Sequence, residues 1–269
     1  MPRRAGRPIN LFHKGGRNRE AFALGFGVVQ LQPGARELTI KLVYYGPGLG
    51  GKTTNLAMLH ERLQADARGQ IVTLETADDR TLFFDMLPLM VGGKGGDNYH
   101  MQVKVFTVPG QPIHASARRL VLGGADGVAF IADSRLTHVE TNAQSFSELR
   151  DNLQANDMPI DDIPLVIQFN KRDLPKIRPD AELHGIAAQS REMVFPAVAA
   201  RGIGVAETFM ALFHLTWRAL DQRHGLSERF GVREDLAVEQ VGSLLGVEEP
   251  IDQLLRTRFG YKAGARKGA

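Results

Sequence analysis

Apolar and polar positions follow two different periods along the chain. Residues 37–45 and 101–108 alternate polar with apolar side chains, which predicts strands, and the apolar runs 127–132 and 164–169 predict strands buried on both faces. Predicted helices, in which apolar residues recur at helical spacing, cover 53–63, 113–122, 140–155 and 203–223. Because strands and helices alternate, the sequence predicts an α/β fold with a mostly parallel sheet covered by helices on both faces.

The two ends of the chain differ from this pattern. The turn signal Pro33-Gly34 closes an N-terminal arm, and after residue 222 the alternation gives way to apolar residues that suit one short helix near 236–245. We therefore expect a basic arm over residues 1–36, an α/β domain over 37–222 and a C-terminal extension over 223–269. With such a division, removing either end is expected to leave ligand binding by the domain nearly unchanged.

Charge is segregated between these parts. The chain has 269 residues and a formal charge of +3, but residues 1–19 and 256–269 together carry eleven Lys and Arg residues and no acid. The remainder therefore carries a net charge of −8. Tails of this kind are either solvated or in contact with an acidic surface.

Composition excludes several classes of protein. Without cysteine there are no disulfides, thiolate zinc sites, cysteine nucleophiles or thioether lipid anchors. No window approaches the roughly 18–20 apolar residues of a membrane span, and the apolar stretch 21–29 lacks the cleavage pattern of a signal peptide. The basic arms lack the interleaved aromatic residues of a nucleic-acid binder. We expect a cytoplasmic protein with no transmembrane segment and no nucleic-acid partner.

Residues 46–53 match the phosphate-loop pattern G-x-x-x-x-G-K-[ST], between a predicted strand and a predicted helix. Glycines allow successive backbone N–H groups to face one point, and Lys52 adds a charge for the β- and γ-phosphates. The Thr53 hydroxyl is the expected Mg²⁺ ligand. The residues expected to contact the nucleotide here are Gly46, Gly48, Gly50, Gly51, Lys52, Thr53 and Thr54.

A second motif, Asn170-Lys171-Arg172-Asp173, follows the predicted strand 164–169. N-K-x-D is the guanine signature of Ras-like GTPases. A carboxylate at Asp173 accepts two parallel hydrogen bonds from guanine N1–H and N2–H₂, a donor pair that adenine lacks. Asn170 and the Lys171 side chain would brace the base and the loop. The two motifs together predict binding of GTP and GDP.

A third segment points to a narrower group within the Ras-like GTPases. Thr107-Val-Pro-Gly110-Gln111 has the position of the D-x-x-G segment of that family, but Thr107 replaces the aspartate that usually holds Mg²⁺ through water. Together with the segments 46–54, 79–85 and 170–175, it resembles the MglA group of bacterial Ras-like small GTPases, which act in gliding motility and cell polarity. The resemblance covers about 37–222, and the two arms are more similar to extended, SofG-type members.

The resemblance implies roles for residues that the motifs alone leave open. Arg80 matches an arginine finger supplied in cis, and Gln111, which follows Gly110, matches the glutamine that orients the attacking water. Thr81 matches the switch threonine that binds Mg²⁺ and senses the γ-phosphate. Val198 and Ala199 match the loop whose backbone N–H reads guanine O6.

The implied partners are a roadblock-type, MglB-like activating protein and a cytoskeletal scaffold that contacts the arms, with placement at a cell pole. Three functions stay open on the residues alone. The first is a switch that hydrolyses GTP slowly without its activator. The second is a GTP-bound polarity scaffold with negligible hydrolysis, which Thr107 in place of aspartate keeps possible. The third, a P-loop ATPase, is disfavoured by Asp173.

Overall fold

The computed structural model describes residues 30–32, 37–65, 67–75, 83–92, 100–109, 115–251 and 253–254. Four of the predicted site residues, Arg80, Thr81, Gly110 and Gln111, lie outside these residues, as do most of the N-terminal arm and the basic C-terminal tail.

One eight-stranded sheet forms the centre of the molecule. Its strands are β1 (Gln30–Gln32), β2 (Glu37–Tyr45), β3 (Val72–Glu75), β4 (Phe83–Gly92), β5 (His100–Thr107), β6 (Gly127–Asp133), β7 (Leu165–Asn170) and β8 (Met193–Pro196). The spatial order is β3-β4-β5-β2-β6-β7-β8, with β1 beside β2. Strands β5, β2, β6, β7 and β8 run parallel, whereas β1, β3 and β4 pair antiparallel with their neighbours.

The α-helices in the described part of the chain are α1 (Lys52–Arg62), α2 (Ala115–Leu122), α3 (Val139–Gln154), α4 (Asp180–Gln189), α5 (Val205–His224), α6 (Leu226–Phe230) and α7 (Glu234–Leu244). None of them combines the length and the apolar character needed to cross a bilayer. The predicted α/β class, with a mostly parallel sheet, is confirmed. The strands and helices that were predicted begin and end within about two residues of the observed ones.

The sequence pattern did not predict β1, β3, β4, β8 or α4. Strand β4 contains Pro88 and has no regular alternation, so its sequence carries no local strand signal. It is formed through pairing with β5, in a register that sets Met86 opposite Phe106. This hairpin places the first residues of β4 beside the carboxyl end of β5, where the phosphate loop also lies.

Two hydrophobic cores lie on the two faces of the sheet. The side chains of β2 divide between them: Ile40 and Leu42 face α1 and α5, whereas Val43 and Tyr45 face the side of α2 and α3. This division follows from the period-two alternation of a strand that is buried on both faces.

The first of these cores extends beyond the predicted domain boundary at residue 222. Helix α5 continues to His224, and residues 226–254, here called the C-terminal segment, contribute buried side chains to the same core as β2. Helix α7 of this segment packs against α5 and reaches β4. The apolar residues that the segment buries in this core are Leu226, Val232, Ala237, Val238, Val241, Leu245 and Leu254.

Candidate functional site

The phosphate loop joins the carboxyl end of β2 to the first turn of α1. Gly46 and Gly51 have φ of 139° and 102°, a region that disfavours side chains. A Cβ at Gly46 would lie 2.3 Å from the carbonyl oxygen of Ile131, and one at Gly51 would lie 2.1 Å from Asn170 Nδ2. The glycines are therefore needed both for the turn and for the close approach of the neighbouring strands.

Lys52 folds back over this loop. Its Nζ donates to the carbonyl oxygens of Gly46 at 2.9 Å and Pro47 at 2.7 Å. Burial, together with the nearby positive charge of Arg118, lowers the pKa of Lys52 to about 8. A phosphate at this position would favour the charged form of Lys52.

Leu49 is the unusual residue of the loop. It has φ of 59° although it is not glycine, and its side chain is 90% exposed. Leucine rarely adopts this left-handed conformation, which carries strain of order 1–2 kcal/mol. The loop therefore holds an exposed apolar side chain at its tip.

The guanine-type motif lies at the carboxyl end of β7, next to the phosphate loop. Asn170 is 3% exposed; its Nδ2 donates to Gly50 O at 2.9 Å, and its Oδ1 accepts the N–H of Ala199 at 2.9 Å. One amide thus joins the phosphate loop, the N-K-x-D loop and the loop that contains Val198 and Ala199. The Ala199 N–H is engaged by Asn170 in this arrangement.

Lys171 and Asp173 point in different directions from this loop. Lys171 Nζ donates to Asp133 Oδ2 at 2.7 Å, and Arg135 donates to the same carboxylate. Burial acts to raise the pKa of Asp133, but the hydrogen bonds from Arg135 and Lys171 outweigh it and hold the pKa well below its usual range. The Asp173 carboxylate is accessible, with Arg201 Nη2 at 4.0 Å.

Asp85 on β4 lies in the candidate site, although no sequence motif assigns it a role. Its Oδ2 accepts the hydroxyl of Thr53 at 3.0 Å, and its Oδ1 accepts that of Thr73 at 3.0 Å. The Asp85 N–H donates to Thr107 Oγ1 at 3.1 Å, which fixes the residue against β5. A carboxylate therefore lies beside the expected Mg²⁺ ligand, although Thr107 replaces the aspartate of the usual motif.

Asp85 belongs to the segment 79–85 that carries part of the family resemblance, but no spacing rule links it to Thr53. Their proximity depends on the antiparallel register of β4 against β5. The candidate site thus comprises, within the described residues, the phosphate loop with Thr53 and Thr54, the carboxylate of Asp85, and the loops at 170–173 and 198–199.

A phosphate loop and a guanine-type loop joined across the carboxyl ends of a mostly parallel sheet define the class of Ras-like P-loop GTPases. No protein-family model matches the chain. It is, however, 42% identical over 181 residues to the Mutual gliding-motility protein MglA of Myxococcus xanthus (strain DK1622), an alignment that covers 67% of this chain and 92% of that relative. The chain therefore belongs to the MglA group of Ras-like GTPases.

Proposed function

We propose that this protein binds GTP and Mg²⁺, hydrolyses GTP slowly on its own, and acts as a molecular switch in bacterial motility and cell polarity. The observation that carries the proposal is the Asn170 side chain. It bonds both to Gly50 of the phosphate loop and to Ala199 of the third loop, so that a base reader and a phosphate cradle form one surface.

Guanine selection is assigned to Asp173. Its carboxylate is accessible and can accept the N1–H and N2–H₂ of guanine. Lys171 donates a hydrogen bond to Asp133, and its side chain would flank the base. Asn170 fixes the loop through its bond to Gly50 O. Because the Ala199 N–H is engaged by Asn170, we assign Val198 and Ala199 to the shape of the base-contacting loop.

The donor set at Thr53 and Asp85 fits Mg²⁺. Hydroxyl and carboxylate oxygens are its preferred ligands, and the ion keeps several waters and takes phosphate oxygens as further ligands. Within the described ranges no group of three or more His, Asp or Glu residues could hold a metal ion. Thr53 and the switch residue Thr81 would bind the ion, with Asp85 next to Thr53. Bound Mg²⁺ would neutralise charge on the β- and γ-phosphates.

For hydrolysis, Gln111 would orient the water, and Arg80 would stabilise charge on the γ-phosphate. The water oxygen bonds to the γ-phosphorus as the bond to the β–γ bridging oxygen breaks. The proton passes to the phosphate, which leaves GDP and inorganic phosphate. Both side chains must be in position together, so a roadblock-type activating protein that positions Arg80 and Gln111 would accelerate the reaction.

The role in motility is supported by the name of the Myxococcus relative, and the basic arms suit a contact with an acidic cytoskeletal scaffold. Such a contact would weaken as salt approaches physiological strength, where the Debye length is about 8 Å. We assign the protein to the cytoplasm, with placement at a cell pole through this contact, as in the extended, SofG-type members.

Single-turnover hydrolysis of γ-labelled GTP and ATP, with and without a roadblock partner, tests the proposal. We expect binding of GTP and not ATP, slow hydrolysis by the protein alone, and marked stimulation by the partner. The variants Arg80→Ala and Gln111→Ala should keep GTP affinity and each lose about 10³-fold of the stimulated rate.

Because the two side chains act together, the double variant should be little worse than either single variant. GTP binding without turnover, even with the partner present, would support the alternative of a GTP-bound polarity scaffold. Equal use of ATP would contradict the assignment of Asp173.

A further inference from the structure

Gln168 lies in the middle of β7, within the otherwise apolar run Leu-Val-Ile-Gln-Phe, and it is 0% exposed. Asn55 on α1 is 0% exposed as well. A buried amide without partners destabilises the folded state, so each of these residues needs hydrogen bonds in the interior. Neither residue belongs to a nucleotide-binding motif.

The two amides bond to each other in both directions. Asn55 Nδ2 donates to Gln168 Oε1 at 2.9 Å, and Gln168 Nε2 donates to Asn55 Oδ1 at 3.0 Å. The residues are separated by 113 positions in the chain, so the pair connects the phosphate-loop helix directly to the strand that ends in the guanine-type motif.

Both amides have further contacts, which lead to the phosphate loop and to the start of α5; one of them is a bond from Gln168 Nε2 to Gly204 O at 3.3 Å. Asn55 Nδ2 also donates to Gly51 O at 2.9 Å, inside the phosphate loop. Gln168 Nε2 also donates to Thr208 Oγ1 at 2.8 Å, and Thr208 in turn donates to Gly204 O at 2.6 Å. A chain of buried hydrogen bonds therefore runs from the phosphate loop through β7 to the start of α5.

The bonds from Asn170 and Asn55 orient the phosphate-loop peptide groups, together with the main-chain bond from Asn55 N–H to Gly51 O at 2.9 Å. In a trans peptide unit the C=O and the following N–H point to opposite sides. Because Asn170 holds Gly50 O and Asn55 holds Gly51 O, the Gly51 N–H points away from Asn170 and the Lys52 N–H points away from Asn55, which leaves both free for a phosphate. Gln168 fixes Asn55 and stands two residues before Asn170 on the same strand face.

We propose that Asn55 and Gln168 are positioning residues that couple the phosphate loop to the guanine-type loop, so that a bound base sets the phosphate loop in its binding geometry. This inference rests on the proposed binding of guanine nucleotides. The pair touches no nucleotide itself. It acts on the affinity of ligands that engage both loops, since small misplacements of binding groups have large effects.

The test compares GDP with GMP, which share the base but differ in the β-phosphate. The ratio of the dissociation constant of GMP to that of GDP measures how much the β-phosphate contributes to affinity once the base is bound. In Gln168→Met, which keeps the volume but loses the amide, we expect GDP release to be about 10-fold faster and the ratio to fall by a similar factor. Asn55→Leu should behave in the same way.

Thr208→Val is the matched control. It removes a buried bond to the same Gln168 side chain but leaves the Asn55–Gln168 pair intact. Its melting temperature should fall as in Gln168→Met, while its GMP-to-GDP ratio stays at the wild-type value. The exchanged pair Asn55→Gln with Gln168→Asn retains two facing amides and should recover most of the wild-type ratio.

A ratio that falls equally in Thr208→Val and Gln168→Met would overturn the inference, because the amides would then serve stability alone. An unchanged ratio in Gln168→Met would overturn it too. If Gln168→Met does not fold, the double variant Asn55→Gln with Gln168→Asn tests the inference instead. Coupling predicts that its GMP-to-GDP ratio is near that of wild type and that its GDP release is within about 3-fold of the wild-type rate. Wild-type protein that binds neither GDP nor GMP would instead refute the proposed function.

Discussion

The loops at the carboxyl edge of the sheet and the C-terminal segment are attached to the same domain by different forces. At the carboxyl edge, buried amides and charges such as Asn170, Gln168 and Asp133 make directed hydrogen bonds. The C-terminal segment is attached mainly by apolar side chains, among them Leu226 and Val241, each 0% exposed. Hydrogen bonds fix direction, whereas apolar burial supplies most of the free energy and little direction.

The C-terminal segment and the nucleotide loops should therefore respond differently to substitution. Loss of a hydrogen bond at the carboxyl edge should alter ligand affinity more than folding. Loss of the C-terminal segment should expose the first hydrophobic core and alter folding before any effect on ligand contacts. Variants in each region can separate the two effects.

The largest effect, a loss of folding, is expected from truncation after Gly225. It removes the buried apolar side chains of the C-terminal segment, each of which contributes about 1.5–3 kcal/mol if it is a leucine or valine. We expect the truncated protein to unfold or aggregate, as measured by circular dichroism and size-exclusion chromatography. This differs from the expectation, drawn from sequence, that residues 223–269 can be removed without consequence for binding.

Truncation after Leu254 is the control, because it removes only the basic tail. That protein should fold and bind GDP like the full chain. Normal GDP binding by the protein truncated after Gly225 would show that the domain ends at α5.

A second prediction concerns base selection at Asp173. Asp173→Asn replaces one acceptor oxygen by a donor that faces the N–H groups of guanine, so GTP affinity should fall by about 10³-fold or more, with a shift toward xanthine nucleotides. Equilibrium binding of labelled GTP and XTP measures this. The melting temperature without nucleotide should barely move, because the ion pair of Asp173 in the described part of the chain is a distant one, with Arg201 at 4.0 Å.

Undiminished GTP affinity in Asp173→Asn would refute the guanine assignment. Arg201→Ala is an informative comparison, since it removes the partner and keeps the carboxylate. It should leave the preference for guanine over xanthine unchanged.

The third prediction concerns Asp85. Asp85→Asn keeps the shape but removes the charge beside Thr53, so the Mg²⁺ concentration that slows GDP release should rise by about 10-fold or more. Release of labelled GDP over a magnesium titration measures this. Thr73→Val, which removes only the hydroxyl bonded to the other oxygen of Asp85, should have a smaller effect. An identical magnesium dependence in Asp85→Asn and wild type would exclude a role for this carboxylate at the ion.

The smallest effect on nucleotide binding is expected at Lys41, a buried cation in the middle of β2. Its Nζ donates to Gly123 O at 2.6 Å and lies 5.1 Å from the centre of the Phe106 ring. Burial lowers the pKa of Lys41 to about 7; Asp126 acts to raise it and Lys104 to lower it.

The unfolded chain keeps the Lys41 proton up to its ordinary pKa of 10.5. Between about pH 7 and 10.5 the unfolded state thus binds more protons, and stability rises with pH. In Lys41→Met this rise should be weaker, with GDP affinity unchanged. Urea unfolding at pH 6.5 and pH 9 measures the difference. The exposed Lys176→Met is the control, and an equal pH dependence in wild type and Lys41→Met would show that Lys41 is not the cause.

Much of the carboxyl edge could be predicted from sequence, because Lys52 and Asn170 belong to motifs whose spacing reflects direct contact with a ligand. Asp85 could not, since its place beside Thr53 depends on a register between β4 and β5 that no local pattern encodes. Gln168 interrupts an apolar run, and only the fold shows that Asn55 lies opposite.

Helix α7 could be predicted from its periodicity, but the surface against which it packs could not. An amphipathic helix such as α7 indicates a buried face without indicating the surface that covers it. Its contacts with α5, and the main-chain bond from Gln64 to Leu244 O at 3.1 Å, depend on tertiary packing.

Leu49 has a consequence for the entropy of binding. A glycine at this position would let the empty phosphate loop visit many backbone conformations, all of which a nucleotide would have to suppress. The β-carbon of Leu49 reduces that set, and its φ of 59° shows that the remaining conformation is held against local strain. The loop therefore loses less freedom when a phosphate arrives, and part of the conformational cost of binding is met already during folding.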